Sequence, residues 1–199
     1  HYYSRSTVPR LFYYCGSAAQ TFFLYFLHDR LISVKHTDPE NLVASLAILS
    51  QLGGALVCYP VGWWSDKSPH RQRLGVWVAC ALFAIGTTSL CFVTSIQGMR
   101  YVCVGLGVAN GMYLTLETRL AVDTLPEGHK AQWMGIWGVA AFLGSAMGPL
   151  VGGPILYLSS DLSRSYQDVQ YTEVGYSIVW SLSSFYFMCS AVSLWYLRP

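Results

Sequence analysis

The stretch Gly62–Leu74, GWWSDKSPHRQRL, holds the densest charge in the chain, with Asp66, Lys67, Arg71 and Arg73 inside eight positions. Uncharged runs flank it, Asn41–Val61 before and Leu74–Gln97 after. Each run can cross a hydrocarbon layer, which takes roughly 20 apolar residues at about 1.5 Å per residue. Charge at the bilayer centre is costly, so a short charged segment between two such runs lies at the membrane surface. Composition agrees. The 199 residues are 53% hydrophobic and 11% charged, against about 25% charge in a soluble domain.

Working outward, six spans emerge, at about 11–27, 41–61, 75–97, 101–117, 132–158 and 174–197. The expected fold is an all-α membrane protein: a single domain over residues 1–199, built as a six-transmembrane-helix bundle. Asp38-Pro39-Glu40-Asn41 reads as a helix start, with carboxylates at the positive end of the helix dipole. An even span count puts both termini on one side. Arg5, Arg10, Lys67, Arg71, Arg73, Arg119, Lys130 and Arg198 share that side, whereas Arg30, Lys35, Arg100 and Arg164 lie opposite. The positive-inside bias therefore places both termini and the 62–74 loop on the cytoplasmic side, or its organellar equivalent. Residue 1 is not Met, and Arg5 and Arg10 directly precede the first span, a pattern expected of part of a longer chain.

The order Gly62, Asp66, Lys67 and Arg71 resembles the loop signature of the major facilitator superfamily, Gly-x-x-x-Asp-[Arg/Lys]-x-Gly-Arg-[Arg/Lys], between the second and third helix of each six-helix half. Pro69 replaces the usual second glycine and His70 the usual first arginine. Span five supplies a second likeness. Ala140, Gly144, Gly148 and Gly152 recur at four-residue spacing, with Pro149 and then Gly153-Pro154. This is similar to the glycine–proline fifth helix of drug/proton antiporters and to the eleventh helix of symporter-like members. The link Asp123, Pro126, Lys130 also fits the connection between fourth and fifth helices of a half. The resemblance implies one half of a transporter, a 3+3 inverted repeat that moves a small solute by alternating access. Its aromatic first span, and a last span running out to Arg198-Pro199, favour the C-terminal half, whereas the glycine–proline helix by itself favours the first half.

Candidate residues fall into three groups. Gly62, Asp66, Lys67, Arg71 and Arg73, with Glu117 and Asp123, form a possible conformational latch at the cytoplasmic end. Arg71 or Arg73 is expected near Glu117 or Asp123, and Arg119 or Arg71 as the partner of Glu117. Gly144, Gly148, Pro149, Gly152 and Gly153 form a ridge that admits a close helix neighbour and permits a bend. Gln20, Gln51, Asn110 and Tyr113 are the polar residues inside spans, and so the candidates for a substrate path. No charged residue falls mid-span in this reading.

Other classes are disfavoured. The six Cys lie within spans and the five His at span ends or in loops, so no metal site, haem or other cofactor is expected. No Ser, His and Asp converge for nucleophilic catalysis, and a net charge of +2 suggests no nucleic-acid partner. The expected partners are the lipid bilayer, a small-molecule solute, and a second six-helix half or other membrane subunits. One alternative stays open: a transporter-derived structural or accessory subunit of a larger respiratory or photosynthetic complex, with no transport of its own.

Overall fold

The structure, a computed structural model, describes residues 2–31, 39–124, 128, 130–160 and 173–195. The polar 161–172 segment, Lys35, Pro126, Arg164 and Arg198 fall outside the described residues. The elements are helical throughout: α1 (Tyr2–Ser17), a 3₁₀ segment (Ala18–Phe22), α2 (Phe23–Leu31), α3 (Pro39–Ser65), α4 (Pro69–Leu90), α5 (Ile96–Thr124), α6 (Lys130–Leu158) and α7 (Glu173–Trp195). The first helical run begins at Tyr2, well before the span expected from residue 11.

Among the described residues four helices are long and apolar enough to cross a membrane: Glu40–Ser65, Pro69–Leu90, Ala131–Leu158 and Glu173–Leu194. The run 2–31 and α5 carry more polar residues, and they supply much of the interior. Tyr13, Phe26 and Leu27 are buried from the first, and Met99, Ala109, Tyr113 and Leu116 from the second. A helix shielded by its neighbours has less need of an all-round apolar surface than one facing lipid.

The packing has an internal symmetry. Taking 2–31 as one broken run, the principal contacts are α1 with α6 and α7, α3 and α4 with α5, and α4 with α7. Exchanging the first three segments for the last three maps this set onto itself. The α3–α5 crossing becomes α6–α1, α4–α5 becomes α7–α1, and α4–α7 maps onto itself. Because successive helices alternate in direction, a shift of three reverses them, which is an inverted 3+3 repeat.

Glycines make both equivalent crossings close. A Cβ added at Gly107 would run into the Ser50 carbonyl, and one at Gly111 into the Gly54 backbone. On α6, a Cβ at Gly144 would lie 2.6 Å from the Leu11 carbonyl oxygen, one at Gly148 would strike Ala18, and one at Gly152 would lie 2.5 Å from the Phe22 ring. Gly153 faces open space. In lipid, such backbone proximity is a main source of helix association. The α6 ridge therefore lies directly behind the 3₁₀ segment.

Candidate functional site

Three sets of polar residues sit at three levels of the bundle. The lowest is the loop between α3 and α4. Asp66 forms an ion pair with Arg119 of α5, whose Nε is 3.7 Å from Asp123 Oδ2. Gln72 of α4 donates from Nε2 to the same Asp123 oxygen at 3.2 Å. Lys67 Nζ lies 3.9 Å above the Trp63 ring, and Arg71 stacks more loosely over Trp64, at 5.8 Å. The groups that reach Asp123 are thus Gln72 and Arg119; Arg71 is turned toward Trp64. The Arg119, Asp66 and Asp123 side chains are part exposed, so each of these ion pairs is worth about 0–1 kcal/mol. Gly62 contributes its carbonyl, which accepts from the Asp66 N–H at 3.1 Å and from Ser65 Oγ at 2.8 Å.

Farther into the bundle lies a buried ion pair. Arg10 of α1 donates from Nη1 to both carboxylate oxygens of Glu117 of α5, at 2.7 and 2.6 Å. Its guanidinium lies 3.1 Å from the centre of the Trp137 ring on α6 and within 3.4 Å of Tyr14 Oη. The expected partners of Glu117, Arg119 and Arg71, are engaged at the loop. Sequence reasoning put Arg10 at the interface because it preceded the first apolar run; the helix instead begins eight residues earlier and carries Arg10 inside. Only the neighbouring Tyr13-Tyr14, whose hydroxyls suit a polar interior, hinted at this.

The third set lies about 15 Å along the axes from that pair, ten or eleven residues on at about 1.5 Å each. A cavity of about 280 Å³ opens there between the 3₁₀ segment, α3, α4, α5 and α7. Gln20 and Thr21 enter it from the 3₁₀ segment, Ser50 and Gln51 from α3. The remaining wall is mainly apolar, including Phe23, Leu46, Leu106 and Trp180. Trp180 is 1% exposed, and its Nε1–H has no partner among the described residues. A mid-helix 3₁₀ stretch often marks a hinge. Here the chain changes pitch where it lines the cavity.

Of the four polar residues singled out from sequence, the fold brings Gln20 and Gln51 to this cavity. Asn110 and Tyr113 lie elsewhere, in the core. Tyr13 Oη donates to Asn110 Oδ1 at 2.8 Å, and the Tyr13 and Tyr113 rings stack 3.4 Å apart. Among the described residues, no group of His, Cys, Asp and Glu is arranged to hold a metal.

An inverted-repeat helical bundle with a mainly apolar cavity that carries a few polar side chains at a helix break is the architecture of a membrane transporter domain. The chain belongs to the Major Facilitator Superfamily, whose family model matches residues 11–199. Among solved structures it is similar to the xylose transporter XylE from E. coli in its inward-open conformation, with a TM-score of 0.66 at 15% identity. That similarity covers 99% of this chain and 47% of XylE, so the chain spans about half the length of that transporter. No curated protein sequence matches it.

Proposed function

We propose that the chain is one half of a secondary transporter, more like a C-terminal than an N-terminal half, which moves a small solute by alternating access with a second six-helix bundle. The observation that carries this reading is the cavity at the 3₁₀ break, where Gln20 and Gln51 present amides with no hydrogen-bond partner among the described residues. Loop 62–74 and the termini face the cytoplasm or its equivalent. The Asp66–Arg119–Asp123 network closes that end in one conformation and parts in the other. A net attraction of about 0–1 kcal/mol for each part-exposed pair biases two states without locking one. The work is binding and rearrangement, with no catalysis and no cofactor.

A structural subunit without transport is not favoured, since the family match extends over nearly the whole chain. The test is accessibility of the cavity in the intact protein. Cysteine placed at Gln51 is expected to react with an impermeant thiol reagent from either face of the membrane, depending on conformation. Reaction from one face only, under all conditions, contradicts alternating access.

A further inference from the structure

The transporter reading leaves the solute open, and the lining of the cavity restricts it. We propose that the cavity binds an uncharged, hydroxyl-bearing solute of about ten heavy atoms, whose hydroxyl groups meet the amides of Gln20 and Gln51. This rests on the transporter reading above.

Charge is the first restriction. Among the described residues no Asp, Glu, Lys, Arg or His lines the cavity. The nearest acidic group along the first helical run, Asp29, accepts from Tyr176 Oη at 2.6 Å. An ion entering an uncharged wall loses hydration with nothing of opposite sign to replace it.

Hydrogen-bonding capacity is the second. Gln20 and Gln51 each offer an amide NH₂ and a carbonyl oxygen. Thr21 spends its hydroxyl proton on the Ala18 carbonyl at 2.8 Å, and Thr87 on Phe83 at 2.9 Å, which leaves both oxygens as acceptors. Donors and acceptors are thus mixed around one space, which suits hydroxyl groups, since each both donates and accepts.

Size is the third restriction. A volume of about 280 Å³ equals roughly nine waters at about 30 Å³ each. Phe23, Leu46 and Leu106 give the solute's carbon body an apolar wall.

The experiment measures equilibrium binding to the full-length protein in detergent. The uncharged probes are erythritol, glucose and N-acetylglucosamine; the charged ones are gluconate and glucosamine. At least one uncharged probe is expected to bind saturably, and at least tenfold tighter than either charged one. Gln20→Leu, on an exposed residue, is expected to weaken that probe about tenfold, as loss of an amide partner does. Gln51→Glu, on an exposed residue, is expected to move the glucosamine-to-glucose affinity ratio at least tenfold toward the amine, an effect no purely structural role of Gln51 produces. Binding of no uncharged probe, equal binding of a charged one, an unchanged Gln20→Leu affinity or an unmoved ratio each overturns the proposal. If the probe binds as described but is not carried into liposomes by the same protein, the site assignment stands and the transporter reading falls.

Discussion

Arg10 and Glu117, 107 residues apart, meet at 2.6 Å inside the bundle and tie α1 to α5, with Trp137 of α6 beneath the guanidinium. Removing one member leaves a buried charge alone, which typically costs about 3–5 kcal/mol. Glu117→Leu and Arg10→Met should each destabilise the protein on that scale, whereas the double replacement should fall well short of the sum. Arg10→Lys should not restore the parent, since an ammonium neither spans the carboxylate nor stacks on Trp137 as the planar group does. Thermal unfolding in detergent checks this double-mutant cycle. Additive single effects would show that the two residues do not act as a pair.

The close crossings make a second contrast. Gly107→Ala places a methyl against the Ser50 carbonyl, and Gly148→Leu a branched side chain against Ala18. Overpacking of this kind costs about 1–3 kcal/mol. Gly153→Ala meets nothing within 4 Å and should leave the melting temperature unchanged or raise it. Equal melting temperatures for all three variants would show that the ridge glycines do not touch their neighbours.

At the loop, the expectation separates stability from function. Asp66→Asn removes one half-exposed partner of Arg119 and should change stability by no more than about 1 kcal/mol. If the network biases two conformations, the same change should alter solute uptake by the intact protein severalfold. Uptake at the parent rate would remove the loop from the mechanism.

Topology gives a fourth prediction. Lys67 and Thr94 lie beyond opposite ends of α4, a helix of 22 residues, about 33 Å long at 1.5 Å per residue. Cysteines at the two positions should label from opposite faces of the membrane with an impermeant reagent, Lys67→Cys from the cytoplasmic face. Labelling of both from one face would mean that α4 does not span.

Much of the fold is visible in the residues themselves. Uncharged runs around the Asp66 loop mark spans, and the four-residue glycine spacing on α6 marks a helix contact, because both are local patterns. The partner of Glu117 is not local. Arg119 and Arg71 are nearer in sequence or register, yet Arg10 wins because the fold sets α1 beside α5 and the apolar run at Leu11 does not reveal where the helix begins. Asn110 and Tyr113 carry the same polar signature as Gln20 and Gln51, and only the tertiary positions distinguish core residues from cavity lining. Trp180 carries no distinguishing signal in the sequence, since an aromatic residue in a span ordinarily packs; its unpartnered N–H is a property of the assembled fold.

Transport by the proposed mechanism needs two bundles, of which these residues form one. The most direct measurement reconstitutes residues 1–199 alone, and the same residues joined to the second bundle, in liposomes, and follows uptake of the labelled uncharged probe that binds best. The account predicts saturable uptake by the joined protein and none above empty liposomes by residues 1–199, because the path runs between bundles. Saturable uptake by residues 1–199 alone, or none by the joined protein, would contradict it.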